Sequence, residues 1–235
     1  MKKLVLNLFV FFLAGTSVFA QTQLKQGTIK MEITDIKSSD ANLAMQLEMM
    51  KGSRTEVSFT DKVQATVADM MGGMVKITTV SNQEADKFDM LMDMMGQKMW
   101  ITSTISEMSN DPKQQAVKNT TEIKADKSDT KEILGHKCYK INISSPEMEE
   151  MSVVAYVTDE IKGGGQGLLQ GYQSVELPGF PLEIIIKNAM MDITMQAKEI
   201  SDKVDTAKFT PKTDGFKKMT MEEFKNQMGG MGMGF

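Results

Sequence analysis

One cysteine, one histidine, one arginine and one tryptophan stand in a chain of 235 residues. Each scarcity excludes something. With Cys138 alone, no internal disulfide can form. With His136 alone, a Ser–His–Asp relay has a single possible base, and no G-x-S-x-G elbow accompanies it. With Arg54 as the only arginine and the charges interspersed, the chain lacks the basic face that neutralises phosphates, so nucleic acid is not an expected partner. Past the N-terminus no apolar run approaches the roughly 20 residues of a spanning helix, and no membrane span is expected.

The N-terminus has the three parts of a secretory signal. Lys2 and Lys3 supply the positive start, an apolar run follows from Leu4 to Leu13, and small residues lead to Ala20. Cleavage is expected after Ala20, giving a signal peptide over 1–20. Position 21 is Gln, so no lipid is expected there. Without Lys2 and Lys3, 25 basic residues remain of 27, against 31 acidic ones, a net charge near −6.

Cys138 is expected to be buried on a strand as a small apolar residue. The alternative is a reactive pair with His136, since residues two apart on a strand share a face. Paired carboxylates such as Glu149-Glu150 and Glu222-Glu223 read as solvated surface. The glycine-rich segment 163–171 lacks the G-x-G-x-x-G spacing and the surrounding βαβ unit of a phosphate loop. It reads as a loop at the sheet rim, with Leu168, Leu169 and Tyr172 placed to cover a cavity mouth.

What the chain has in abundance is methionine: 24 residues, or 23 without Met1. Two readings stand open. At alternating strand positions, Met31, Met45, Met49, Met90, Met92, Met191 and Met195 would line a core with flexible thioethers. In clusters, at 71–74, at 90–95 and in the Gly-Met tail 228–235, thioethers are soft ligands suited to Cu(I).

Period-two alternation predicts strands at 27–36, 43–49, 54–59, 62–68, 74–80, 138–143, 151–158, 182–186 and 191–197. The stretch 87–104 admits a helix or a hairpin; Gly96 and the β-formers after it favour the hairpin. The polar stretch 110–130 reads as a long surface connection with a short helix. Thr220 and Glu223 form a capping box that opens a short C-terminal helix ahead of Phe224, and the tail after it reads as flexible. At least nine short strands predict a mainly β protein built on one curling antiparallel sheet.

Three segments add a resemblance. They are the "ILGxxC" run from Ile133 through Leu134 and Gly135 to Cys138, the strand Tyr156-Val157-Thr158, and the run Leu177-Pro178-Gly179-Phe180-Pro181-Leu182-Glu183. In that order they resemble the DUF4412 family of exported bacterial proteins, which is similar in fold to the LolA and LolB lipoprotein carriers; the opening strand Gly27–Asp35 and the closing segment Phe209–Met219, with Pro211 and Gly215, are also similar to that family. The resemblance implies a strongly curved half-barrel with a helical or loop lid over an apolar cavity, in a periplasmic setting. The expected organisation is a signal peptide over 1–20, one β domain over 21–219, and a short helix with a Gly/Met tail over 220–235. The expected function is non-enzymatic and cofactor-free: an apolar ligand, a lipid or acyl chain, held by Met45, Leu47, Met90, Met92, Trp100, Ile184 and Met195. The alternatives are Cu(I) binding through the methionine clusters and an interaction domain with a filled core.

Overall fold

The computed structural model describes residues 23–148, 151–163, 165–169 and 175–230. The expected signal peptide, the Glu149-Glu150 pair, Tyr172 and the last five residues of the tail lie outside them.

Among the described residues twelve strands form one sheet, and all neighbours are antiparallel except the strand at 217–219 and its neighbour at 97–103. In chain order they are β1 (Gly27–Ser38), β2 (Arg54–Phe59), β3 (Val63–Met70), β4 (Val75–Asn82), β5 (Lys87–Met94), β6 (Gln97–Ser103), β7 (Glu122–Ile133), β8 (His136–Ser144), β9 (Met151–Thr158), β10 (Phe180–Asn188), β11 (Met191–Ser201) and β12 (Lys217–Met219). Their spatial order is β12-β6-β5-β4-β3-β2-β1-β11-β10-β9-β8-β7. Among the described residues four α-helices interrupt them: α1 (Ala41–Leu47), α2 (Ile105–Ser109), α3 (Pro112–Thr120) and α4 (Met221–Gly230).

The β5–β6 hairpin forms as the β-formers around Gly96 predict, with Met95 and Gly96 both at positive φ (53° and 88°) in the turn. The capping box also forms. The Glu223 amide donates to Thr220 Oγ1 at 3.1 Å, and the Thr220 amide donates to Glu223 Oε2 at 2.7 Å, just ahead of α4.

Two expectations fail locally. The segment 43–49 is helix α1 and a 3-10 turn, not a strand. Ala, Leu, Met, Gln and Glu are good helix formers, with no β-branched residue among them. Asp40 caps the helix, its carboxylate accepting from the Asn42 and Leu43 amides at 2.7 and 3.1 Å. The stretch 110–130 contains the expected short helix but is not otherwise a connection. It holds α3, started by Asp111 and Pro112, and then most of β7, whose polar sequence hides a strand because only part of one face is buried.

The expected strongly curved half-barrel is replaced by an open sheet. Its outer strands do not pair with each other. β12 offers three residues, led by Lys217 and Lys218. β7 carries Glu122, Lys124, Asp126, Lys127, Lys131 and Glu132. Short and charged edges resist further pairing.

Register separates the two faces of the sheet. On the first face, Ile29 and Met31 of β1, Val57 and Phe59 of β2, Tyr139, Ile141 and Ile143 of β8, Val153, Ala155 and Val157 of β9, and Ile184 of β10 belong to the main core. Ile161, Leu168, Leu169 and Val175, from the connection between β9 and β10, pack against it. Leu169 is 1% exposed and Leu182 and Ile184 are fully buried. Each such side chain contributes about 1.5–3 kcal/mol by leaving water. A second, smaller cluster lies near the β12 edge, where Phe224 of α4 packs with Met92, Met99, Ile101 and Met219.

The opposite face is crossed by the segment 202–216. Lys208 pairs with Glu56 there, and Lys98 lies 5.5 Å from the Phe216 ring centroid.

Candidate functional site

Three places on the sheet merit a chemical reading. The first is a trough between the two clusters. Pairing sets one row of side chains across the first face: Met99, Met92, Ile77, Ala68, Thr55 and Met31, from β6 to β1. Met99, Met92 and Met31 are buried, at 5, 5 and 1% exposure. Ile77, Ala68 and Thr55 in the middle are only half-buried. Ala68 and Thr55 are small, so the row dips between the thioether of Met31 and the side chain of Ile77. Met90 and Met94, also half-buried, stand beside it on β5. At Gly167, a Cβ would lie 2.9 Å from Gln64 Nε2 and 3.7 Å from Thr66 Oγ1. The connection that covers the main core therefore reaches β3 on this face.

The seven side chains expected to share a cavity divide among several places. Met90 and Met92 lie on the trough's β5 wall. Ile184 pairs with Met195 across β10 and β11 and belongs with it to the main core. Trp100 is on the other face: its indole nitrogen donates to Asp89 Oδ1 at 2.9 Å, and Lys218 lies 4.9 Å from its ring. Met45 and Leu47 are on α1, where Met45 is 76% exposed. Leu168 and Leu169 are sealed into the core instead of rimming an opening.

The second place is one end of the sheet. The β1–β2, β3–β4, β5–β6, β8–β9 and β10–β11 connections all turn there. Among the described residues six large hydrophobic side chains are exposed, and five are methionines in these connections: Met45, Met49, Met74, Met95 and Met190. The core-lining reading thus fails for Met45 and Met49, while Met31 and Met92 are buried as it requires. Between the β8–β9 connection and the β10–β11 turn lies a shallow, open cleft of about 290 Å3, lined by Ser144, Ser145, Met148, Met151, Ser152, Lys187 and Asn188.

The third place is polar. A bulge in β7 between Asp126 and Thr130 turns Asp129 toward β8 and β9. Asp129 accepts from Tyr156 Oη at 3.1 Å and pairs with Lys140 at 3.1 Å. Lys131 pairs with Glu183 while lying 3.7 Å from the Tyr156 ring centroid, and Gln196 Nε2 donates to Glu183 at 3.1 Å. Glu183 is 7% exposed. Its charge is matched and hydrogen-bonded, the condition under which a buried carboxylate is tolerated. Every group in the cluster has a partner, which fits a structural role.

Cys138 and His136 do not form a reactive pair. His136 Nδ1 is 2.6 Å from Glu160 Oε2, and the Cys138 thiol donates to the His136 carbonyl at 3.5 Å. Burial pushes the thiol up to about 11, so the nucleophilic thiolate is scarce at neutral pH. Burial and the Asp159 carboxylate raise Tyr139 to about 12. Among the described residues no group of three His, Cys, Asp or Glu side chains is placed to hold a metal ion, and no helix is long and apolar enough to cross a membrane.

No protein-family profile matches the chain, and no curated relative matches it in sequence. No family model confirms the DUF4412 resemblance. The chain is similar, at low TM-scores, to solved structures that include the following. With the lipoprotein LppX of Mycobacterium tuberculosis the TM-score is 0.36 at 10% identity, over 76% of this chain and 88% of that one. With LprF of Mycobacterium bovis it is 0.32 at 9%, over 77% and 89%. With MucB it is 0.32 at 8%, over 84% and 59%. Likenesses of this size carry no argument about what the chain does.

Proposed function

We propose that the chain is an exported, non-enzymatic binding protein that holds an elongated apolar molecule, such as an acyl chain, along the first face of its open sheet. The observation that supports this most is the row at the trough: buried methionines flank the half-buried Ile77, Ala68 and Thr55. An acyl chain laid on Ala68 and Thr55 would contact Met31, Ile77, Met90 and Met94. Thioethers adapt to an irregular ligand without a fixed shape, and each methylene removed from water contributes about 0.8 kcal/mol. The N-terminal signal supports export, to the periplasm in a double-membraned cell.

The test fills the trough. Ala68→Phe places a ring over Thr55 and Ile77 on a face that is only half-covered, so the fold should survive. Fluorescent fatty-acid probes are expected to bind the parent chain and to lose at least tenfold in affinity on Ala68→Phe. Val67→Phe, on the other face of the same strand, should leave probe binding unchanged. Failure of the parent chain to bind the probes, together with its purification free of lipid by native mass spectrometry, would sink the reading.

A further inference from the structure

The sheet gathers its exposed methionines at one end, although the sequence scatters them between positions 45 and 190. Three neighbouring connections lie closest together. The 3-10 turn Glu48–Met50 touches the 3-10 turn Met71–Gly73. The Met71 amide donates to Ser53 Oγ at 3.3 Å, and the Met95 amide donates to the Met74 carbonyl at 2.9 Å. Met49, Met74 and Met95 are 55, 39 and 83% exposed, with Met50 and Met71 half-buried beside them.

The kind of side chain decides what this cluster suits. A bilayer-docking surface would carry Trp, Phe or Leu, and a protein interface would set aromatic side chains among its methionines. Here the exposed large apolar side chains are all thioethers. The charges beside them cancel: Lys51 pairs with Glu48 at 3.3 Å, and Lys98 approaches Asp93 at 3.9 Å. Neutral thioether sulfurs suit a soft monovalent cation better than a hard or divalent one, and the nearby Glu48 and Asp93 carboxylates are already engaged by Lys51 and Lys98. Gly72, Gly73 and Gly96, all at positive φ, form the turns that carry them, and the unbranched methionine side chain has the reach to converge on one ion.

We propose that Met49, Met71, Met74 and Met95 form a Cu(I) site at this end of the sheet, separate from the trough. No electron transfer is involved: the ion binds as Cu(I) and leaves as Cu(I).

The experiment is an anaerobic Cu(I) titration of the purified chain against bicinchoninate at neutral pH. One Cu(I) per chain should be withdrawn from the chelator, and copper K-edge absorption should show sulfur scatterers only. The triple variant Met71→Leu, Met74→Leu, Met95→Leu should bind at least tenfold more weakly. Should the triple variant misfold, peroxide treatment of the parent chain is the second arm. Sulfoxides at the exposed methionines should abolish Cu(I) uptake while circular dichroism stays unchanged. No withdrawal of Cu(I), nitrogen or oxygen scatterers at the metal, or undiminished binding after oxidation or in the folded triple variant would each overturn the proposal. Fatty-acid probe binding should be indifferent to the triple substitution, which keeps this site's failure separate from the trough's.

Discussion

Met95→Asn should make the protein more stable and a poorer copper ligand at once. Met95 sits at φ 53° with Gly96 at 88° in the two-residue β5–β6 turn. Both central positions of such a turn need left-handed backbone, and Asn-Gly is its favoured sequence. A bulky residue in that conformation costs roughly 1–2 kcal/mol, and asparagine less through its local hydrogen bonds. Met95 is 83% exposed, so little packing is lost with its side chain. The expected gain is about 1 kcal/mol, or ~2–4 °C in Tm for a domain of this size. Urea unfolding measures it as a raised midpoint at unchanged slope. Leu134 supplies the internal control. It has φ 51°, precedes Gly135 at 81°, and is 50% exposed in the β7–β8 turn at the other end of the sheet. Leu134→Asn should stabilise by a similar amount and leave Cu(I) binding intact. If Met95→Asn lowered the midpoint while Leu134→Asn raised it, the exposed-turn reasoning at Met95 would be wrong. If both weakened Cu(I) binding equally, the sulfur would not be the donor.

Other outcomes follow from the core and the polar cluster. Cys138 ionises near 9.0 when free and near 11 in the fold. Below pH 9 both states hold the proton and nothing is lost. Between about 9 and 11 only the unfolded chain releases it, so stability should fall by roughly 2–3 kcal/mol across that window. The part of the drop between pH 9 and 10, below the window in which Tyr139 adds its own loss, should vanish in Cys138→Ala on urea curves taken at several pH values. Native Cys138 should also resist iodoacetamide at pH 8 until the chain is unfolded. Lys131→Met leaves the buried Glu183 carboxylate with Gln196 as its remaining side-chain hydrogen-bond donor. A cost of about 1–3 kcal/mol is expected, at the low end because Lys131 is one-third exposed. Adding Glu183→Gln should restore most of it; no restoration would argue that the charge is not the cause. Gly165→Ala would set a Cβ 2.2 Å from Pro181 Cδ and 3.1 Å from its Cγ. Overpacking of about 1–3 kcal/mol should appear in thermal melts, and a neutral result would mean the connection is not seated on β10.

Local pattern predicts well where one face is buried and the other wet. β2 and β9 appear where alternation places them, and the Thr220–Glu223 box starts α4 because both partners lie within one turn. It misleads where the alternation has another cause. The alternating Leu43, Met45 and Leu47 look like a strand, yet the Asp40 cap and the helix formers win. β7 fails in the opposite direction, because an edge strand of charged residues shows no apolar face to read. For the candidate sites, Met90 and Met92 were legible as residues of the sheet's apolar face. Trp100 was not separable from them by pattern alone. Its face is set by the β5–β6 register and its place by the hydrogen bond to Asp89.

The scarcity of cysteine, histidine and arginine, the β character of most segments and the surplus of methionine belong to the sequence alone. Composition and short-range periodicity suffice for them. Tertiary structure alone decided which methionines are core and which face water. That depends on strand order and on which connections turn at the same end of the sheet, and both arise from pairings between residues far apart in the chain. Met49, Met74 and Met95 become neighbours only because β1 through β6 lie side by side in order. Ala68 and Thr55 become the floor of a trough only because their register sets them between Met31 and Ile77.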